Sequence, residues 1–552
     1  MAVAPSRRFR FGRSEVDARP GETILAALAR RGWPSLTRSI RYHRPRGPFC
    51  GVGHCTGCLV RVNGVPNVRA CRREARAGDI VRTENSWPSA RVDLLGSLDF
   101  LLPHGVDTVH GLRRPSWAAP LYQRIGRRLA GFGRVPDPPT APTPARSRTV
   151  TADVTVVGAG RTGREVAEAI VRAGARPVVL DRRGAEDLPD AGALPGAELL
   201  PGTTASFLNP PGADRRTPFT LLAVDTDARG VLVRSRSVVV ATGAYDGALL
   251  FEGGDRPGVV TADLALSKVT LPWKEAVVVG GGARAKEVVS RLGHDVRAVV
   301  AFGEISPELV DVAAGLGVLL YPRSRVVRSL GHGHVRGLEL ARRDGGGAFR
   351  LRCRTVVLAH RRLPNSQLAF QAGARRHWVD PPGAYYPEVD DSGRSSVPGM
   401  FVVGSAAVPT SRAGPPADRT ASAVLGGGGS PGPSDPSAAW PSEIIPYYRE
   451  LLRERRRGKW VVCPCEDVLL DELEAAVRRG YRGIELGMRY TGVGTGLCQG
   501  RYCLPEAILL LSILEGRSPD DVGYVTQRPP LEPAPLAALA ALEGELASEG
   551  AA

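Results

Sequence analysis

Nine cysteines are the residues of this 552-residue chain whose type and spacing most clearly allow chemistry, and they fall as four, one and four along it. The first set is Cys50-x4-Cys55-x2-Cys58-x12-Cys71. Two irons bridged by sulfide need four thiolates converging from a loop, and x4–x2 spacing with a distal fourth cysteine is a pattern that holds a 2Fe–2S cluster. Gly51, Gly53 and Gly57 let that loop turn tightly and aim backbone N–H groups at the sulfurs. A zinc knuckle would instead show two separated Cys-x2-Cys pairs. The second set is Cys463-x-Cys465, then 32 residues, then Cys498-x4-Cys503. It again suggests four-thiolate ligation, and periodicity alone leaves zinc and iron both open there. Cys353 stands alone in Leu351–Ala359, an apolar strand pattern, and is expected to be a buried structural thiol. His43 and His54 border the first set and are expected to act as local hydrogen-bonding groups.

The second kind of chemistry lies in two glycine turns. Asp153–Val157 reads as a strand, Gly158, Gly160 and Gly163 as a turn, and Arg164–Ala173 as a helix. The strand Pro177–Leu180 then ends at Asp181, 23 positions after the first glycine. That is the dinucleotide fingerprint in its required context, with the pyrophosphate at the helix N-terminus and the acid on a ribose hydroxyl. Arg161 and Thr162 are bulkier than usual in such a loop. A second unit begins at Ala276–Val279, turns at Gly280 and Gly282, continues as a helix to Leu292 and returns as the strand Val296–Ala301. No acid stands at the end of that strand. Glu304 is the nearest, so NAD(P) binding is left open there.

Around these motifs the chain is long enough for about three or four domains. Hydrophobic residues make up 43% and charged residues 23%, enough to bury a core and too apolar for a disordered chain. The longest apolar stretch, Ala507–Leu514, is too short to span a bilayer, and Met1–Glu15 has no apolar run of signal-peptide length. A cytoplasmic protein is expected. Between the second cysteine pairs, Leu469–Arg479 has helical periodicity, Thr491–Gly496 reads as a turn, and Leu504–Leu514 reads as a further helix. Proline-rich Val135–Val150 and breaker-rich Gly426–Pro441 read as linkers, and 529–552 as a short helix or loose tail.

The net charge of +17 is localised. Residues 1–150 hold 26 arginines against 10 acidic groups, and the whole chain has only four lysines. No nucleic-acid-binding motif accompanies the arginines. A solvated or partner-facing basic surface is therefore expected. Such asymmetry suits an anionic ligand or an acidic partner surface.

The motifs also resemble a known family. Tyr42–Gly47 (YHRPRG), the Cys50–Cys58 loop, Asn67–Cys71 and Trp87–Ser89 resemble the N-terminal segment of sarcosine oxidase alpha subunits. They also resemble the small subunits of hydrogen cyanide synthase and of proline, hydroxyproline and opine dehydrogenases. Ala241–Gly243, Leu363–Asn365 and Met400–Gly404 are similar to later motifs of flavoproteins with two dinucleotide domains. Cys463–Val468 and Cys498–Cys503 resemble the 2Fe–2S domain of the bacterioferritin-associated ferredoxin (BFD) type.

The resemblance implies an α/β multidomain fold: a β-grasp ferredoxin-like head, a central two-dinucleotide-binding-domain flavoprotein and a small helical BFD-like tail. The implied boundaries are 1–110 for the head and 111–150 for the connection. They continue as 151–270 and 361–425 for the nucleotide-binding domain, 271–360 for the second Rossmann domain, 426–445 for a linker, 446–515 for the BFD-like domain and 516–552 for the tail. Cys50, Cys55, Cys58, Cys71, Cys463, Cys465, Cys498 and Cys503 become ligands of two 2Fe–2S clusters. Gly158, Gly160, Gly163, Asp181, Thr242, Gly243, Gly280, Gly282, Gly404 and Ser405 become cofactor-binding positions. FAD is expected at the first turn with ATP as the alternative, and FMN at a subunit interface.

Three departures from the pattern stand out. Ser405 replaces the aspartate that usually follows Gly404 and binds the ribityl chain. The acid after the second Rossmann strand is missing, and no Cys-x-x-Cys lies in the centre. No residue set is recognisable as a substrate-oxidising site. The expected function is electron transfer by the alpha subunit of a hetero-oligomeric amine or amino-acid dehydrogenase. Its partner would be a beta subunit, a flavoprotein of the D-amino-acid-oxidase type, that oxidises the substrate. The alternatives are a self-sufficient NAD(P)H:acceptor oxidoreductase and a non-catalytic assembly scaffold.

Overall fold

The structure is a computed structural model and describes residues 7–89, 92–102, 120, 146–188, 193–211, 218–269, 271–410, 414–426, 443–455 and 458–547. Most of the 111–150 connection and nearly all of Gly426–Pro441 fall outside these residues. The last residues of Val135–Val150 already belong to the strand Ser147–Val157. The chain forms two compact units. The first collects residues 1–137, 246–361 and 443–524, and the second collects 138–245, 362–442 and 525–552.

The first unit begins with the head. Its five-stranded sheet runs in the order Ser14–Ala18, Arg7–Phe11, Ile80–Thr83, Leu59–Val62, Val65–Arg69. Arg7–Phe11 is antiparallel to Ser14–Ala18 and parallel to Ile80–Thr83. The helix Ile24–Arg30 crosses this sheet. Thr23 caps it by accepting the Ala26 N–H at 3.2 Å. Ile24 to Ala29 are all buried, and Ile24 to Leu28 pack with Phe9, Phe11, Val60 and Val81. That is a β-grasp fold, as the resemblance implies.

The same unit contains a five-stranded parallel sheet in the order Val259–Thr261, Thr355–Leu358, Ala276–Val279, Val296–Val300, Leu319–Tyr321. Ala276–Val279 and Thr355–Leu358 are buried at every residue, the condition of a strand covered on both faces. Cys353 is fully buried, but it lies between the strands Ala348–Arg352 and Thr355–Leu358 rather than within one. Burial pushes its thiol up to about 12, with Glu275 adding to the effect, so it is inert at neutral pH.

The last segment of the unit is helical, with helices Ile444–Glu454, Leu470–Arg478, Ile484–Thr491 and Leu504–Glu515. Thr491, expected to open a turn, instead ends the third of these. Leu504–Glu515 buries Leu504 and every residue from Glu506 to Leu511, because its apolar residues wrap the helix rather than line one face.

The second unit is built on a seven-stranded sheet. Six strands run in the order Glu198–Pro201, Pro177–Asp181, Ser147–Val157, Gly230–Val240, Phe219–Val224, Thr204–Asn209, and Met400–Val402 pairs with the end of Gly230–Val240. Pro177–Asp181, Ser147–Val157, Gly230–Val240 and Met400–Val402 are parallel, so their C-terminal ends meet on one edge. Of the two expectations for the tail, its described residues take the helix. Its helix Leu536–Ala547 buries Ala538 and Leu542, and a Cβ on Gly230 would come within 2.6 Å of the Ala538 carbonyl oxygen. Among the described residues no helix is long and apolar enough to cross a membrane.

Candidate functional site

The head cage comes from one loop and the start of another. Cys50, Cys55, Cys58 and Cys71 are all buried. Gly51 and Gly53 take φ of +67° and +79°, which turns the loop over the thiols. The Cys50 sulfur accepts the Cys55 N–H at 3.3 Å and also the Val52 N–H, and the Cys55 sulfur accepts the Gly57 N–H. Cys50 is further linked by hydrogen bonds to the thiols of Cys55 and Cys71, and Cys71 to Cys58. A Cβ on Gly57 would overlap the Gly47 carbonyl oxygen, so glycine is required where the loop closes.

The C-terminal cage has the same design. Cys463, Cys465, Cys498 and Cys503 are buried, and their thiols close a ring in which Cys463 and Cys498 each contact Cys465 and Cys503. Cys465 and Cys498 approach to 3.3 Å. The hydrogen bonds from Cys465 and Cys503 hold Cys463 and Cys498 well below the ordinary thiol range, with N–H groups of Gly494, Glu466 and Gly500 contributing. A Cβ on Gly496 would come within 2.5 Å of Cys465 Cβ. Two buried four-sulfur sets with N–H donors on the sulfurs fit a two-iron cluster, whose ligands are divided between two metals.

Three head arginines are spent inside the chain. Arg44 pairs with Asp255 at 2.7 Å and Asp99 at 3.1 Å, and Arg46 pairs with Asp255 and with Asp467 at 2.6 Å. Arg41 pairs with Glu472 at 2.7 Å. Burial alone would raise Asp255, but Arg44 and Arg46 hold it far below the ordinary carboxylate range. Part of the basic surface expected to face a partner therefore faces the second Rossmann sheet and the C-terminal helices. His43 Nδ1 lies 2.9 Å from Asp93 in the same buried layer.

The first glycine turn has the geometry of a nucleotide site. Gly158 takes φ of +111°, and a Cβ there would overlap the Ala241 carbonyl oxygen. A Cβ on Gly163 would overlap the Gly158 carbonyl oxygen, whereas one on Gly160 would meet nothing within 4 Å. These are the three glycine roles of the fingerprint: the tight turn, the open approach to a pyrophosphate, and close helix–strand packing. Asp181 Oδ2 accepts the Ala159 N–H at 2.8 Å, and Oδ1 accepts the Arg183 N–H at 2.8 Å. Burial opposes its charge, yet hydrogen bonds from Arg183 hold it below the usual carboxylate value, so it stays ionised.

Thr242 and Gly243 arrive from the next parallel strand, and Gly404 and Ser405 from the one beyond it. Thr242 Oγ1 donates to the Asn365 carbonyl at 2.6 Å, and the Asn365 N–H donates to the Gly243 carbonyl at 2.9 Å. The bulky Thr162 is accommodated because Gly404 has no Cβ; one there would be 3.0 Å from Thr162 Oγ1. The side chain of Arg161 points to solvent and is 90% exposed. These residues fit an anionic dinucleotide: an open loop at a helix N-terminus and a fixed carboxylate on the adjoining strand.

The second turn repeats the loop, and different residues surround it. Gly280 takes φ of +147° and Gly282 again faces open space. After Val296–Val300, however, Phe302 stands edge-on to Tyr447 at 5.4 Å, and the Arg343 guanidinium lies 4.1 Å from its ring centre. Glu443 accepts the Gly303 N–H, and a Cβ on Gly303 would overlap its carboxylate. Arg284, in the first turn of the helix Ala283–Leu292, is held by Asp246 at 2.9 Å and Asp263 at 2.8 Å.

Comparison with known proteins agrees with these parts. Residues 8–86 match the 2Fe-2S iron-sulfur cluster binding domain, 216–424 the pyridine nucleotide-disulphide oxidoreductase family, and 457–543 the sarcosine oxidase A3 domain. The chain is 27% identical over 596 aligned residues to the sarcosine oxidase alpha subunit of Rhizobium meliloti (strain 1021), an alignment covering 96% of this chain and 57% of that protein. The chain is homologous to the alpha subunits of sarcosine oxidases and to the first-lettered (A) subunits of opine oxidases. The corresponding opine oxidase protein of the same organism is 26% identical over 71% of this chain and 98% of its own length. The L-proline dehydrogenase from P. horikoshii shares the fold, with a TM-score of 0.65, 19% identity and 97% of both chains covered. The chain thus spans little more than half the length of the sarcosine oxidase relative.

The structure brings the eight thiols singled out by the sequence into two buried sets and the residues of the first turn to one sheet edge, but the sequence reading missed what surrounds them. Asp255 and Asp467 carried no motif of their own, although Asp467 follows the Cys463–Cys465 pair by two residues. Phe302 and Tyr447 belong to segments 145 residues apart, and nothing local couples them.

Proposed function

We propose that this chain is the electron-transferring alpha subunit of a heteromeric FAD and iron–sulfur dehydrogenase or oxidase. Its donors would be amines or amino acids of the sarcosine, proline, hydroxyproline, opine or glycine kind. The observation that carries the reading is the pair of buried four-thiol cages, each with backbone N–H groups directed at its sulfurs. When bound, a 2Fe–2S cluster exchanges single electrons and a flavin exchanges two. The residues' part is to hold and tune. Cys50, Cys55, Cys58 and Cys71 ligate one cluster, and Cys463, Cys465, Cys498 and Cys503 the other. Burial excludes water from the sulfurs, and the N–H donors stabilise the added negative charge of the reduced form.

At the first turn the Gly160 loop receives the pyrophosphate of FAD, with ATP the second choice, and Asp181 accepts from the ribose. Thr242, Gly243, Gly404 and Ser405 line the same edge; Ser405 offers a hydroxyl where a carboxylate would bring charge. Substrate oxidation belongs to a partner flavoprotein of the D-amino-acid-oxidase type, with FMN held where the subunits meet. A self-sufficient NAD(P)H reductase is supported by the open loop at Gly282 but opposed by Phe302 and its covering residues.

Elemental analysis tests the reading. The anaerobically purified chain should carry about four irons and about four acid-labile sulfides, and released FAD or ATP should be found by mass spectrometry. Amine-dependent dye reduction should require co-expression with the partner. Stoichiometric zinc without visible absorbance would overturn the assignment.

A further inference from the structure

Three contacts join the two cages, and each is made by a cage cysteine or a residue close to one. Thr56, between Cys55 and Cys58, places Oγ1 3.3 Å from the Cys465 sulfur, with both groups buried. Phe49, which precedes Cys50, meets Tyr502, which precedes Cys503, edge to face with ring centres 5.1 Å apart. Arg69, two residues before Cys71, donates to the carbonyl of Leu497, which precedes Cys498, at 3.5 Å. Different parts of both ligand loops therefore face one another.

The seam between them is clamped. Asp467 accepts the Arg41 N–H at 2.9 Å, the Tyr42 N–H at 3.2 Å and the Arg46 guanidinium at 2.6 Å. Asp467 and Arg46 are both buried. Removing either partner of such a buried pair is strongly destabilising, so the clamp resists opening. The head also packs on the second Rossmann segment: the Thr261 N–H donates to the Phe49 carbonyl at 2.9 Å, and a Cβ on Gly51 would come within 2.6 Å of Leu264.

We propose that the two cages act as one two-centre relay within this chain, coupled across Thr56, whose hydroxyl hydrogen-bonds the Cys465 sulfur. The inference rests on the reading of both cages as 2Fe–2S sites. Towards a ligating thiolate the hydroxyl is the donor. A donor on a cluster sulfur stabilises the reduced, more negative state and raises its potential. In a buried seam that bond is stronger than in water. Thr56 is thus a positioning and tuning residue for the C-terminal cage although it lies on the head loop. When loaded, two adjacent one-electron sites would have room for both electrons that the partner's flavin takes up when a C–N bond is oxidised to an imine. The accompanying protons go to solvent at the partner's site.

The test uses the full chain, reconstituted anaerobically with ferrous iron and sulfide and reduced with dithionite. Its electron paramagnetic resonance spectrum should show spin–spin interaction. The splitting, or the faster relaxation, should vanish in Cys55→Ser and in Cys498→Ser, each of which leaves one cage. Potentiometric titration of Thr56→Val should lower the midpoint of the C-terminal cluster and leave the head cluster unmoved, while Thr56→Ser should restore the wild-type value. A two-cluster spectrum equal to the sum of the two single-cage spectra, or equal midpoints in Thr56→Val and wild type, would overturn the inference while leaving two clusters in place. Failure of the wild-type chain to yield any 2Fe–2S signal would instead remove the reading beneath it.

Discussion

The two dinucleotide folds share a loop and differ in what lies beyond it. In both, the first glycine of the turn presses on a neighbouring carbonyl oxygen (that of Ala241 for Gly158, that of Ala359 for Gly280), and the third position of the turn, Gly160 or Gly282, faces open space. The next strand then ends differently. Pro177–Asp181 finishes in a carboxylate fixed by the Ala159 N–H. Val296–Val300 runs into Ala301, the position equivalent in register to Asp181, and then Phe302, which Tyr447 and Arg343 cover. A glycine turn is therefore a packing device in both folds, and the two part at the end of the following strand and in what packs on it. The second fold instead offers Asp255 to the head arginines and Phe302 to a C-terminal helix, which makes it a platform.

The strongest way to break this contrast is to attack the platform. Asp255→Asn leaves Arg44 and Arg46 buried without their shared carboxylate and should cost about 3–5 kcal/mol, read by denaturant unfolding. The native protein carries the same dependence on pH. Asp255 titrates far lower folded than its unfolded value of about 4, so its stabilisation is whole above that pH and is lost as the pH falls below it. A thermal midpoint unchanged by Asp255→Asn at neutral pH would show that the arginines do not hold the head.

Next in size is Gly158→Ala in the first fold. A side chain at φ of +111°, against the Ala241 carbonyl, should destabilise the second unit by about 3 kcal/mol. Gly160→Val should separate binding from folding. Its φ of −72° suits any residue and its Cβ meets no protein atom, so stability should change by less than about 1 kcal/mol. Nucleotide retained through purification should nevertheless fall ~10-fold, because the added side chain fills the pyrophosphate's space. Full cofactor load in that variant would place the pocket elsewhere. The smallest expected effect is none. NAD(P)H added to the oxidised chain should not bleach its visible absorbance, and rapid bleaching would restore nucleotide binding to the second turn.

Much of each site was legible because it is local. Cys50 to Cys58 and the Gly158–Gly163 turn act over a few residues, where spacing dictates which backbone groups can meet. The strand Ala276–Val279 was legible because a fully buried parallel strand is an uninterrupted apolar run. The helix Ile444–Glu454 was not anticipated, although its buried residues Ile444, Tyr447, Tyr448 and Leu451 recur at helical spacing, because Pro446 in its first turn reads as a breaker along the sequence. Cys353 was placed in a strand that the structure breaks in two. The arginines of the head were read as surface because a sequence records charge without its partners; Arg46 finds one 421 residues away.

The sequence by itself singled out the eight thiols, the loop glycines around them and the carboxylate Asp181, because covalent spacing limits what a short loop can do. Only the tertiary structure decided that Thr56 touches Cys465, 409 residues on, and that Phe302 is covered by Tyr447. Contacts of that range depend on which faces the packed elements present to each other. Burial and ion pairing settle that choice across the whole first unit, and no local period encodes it.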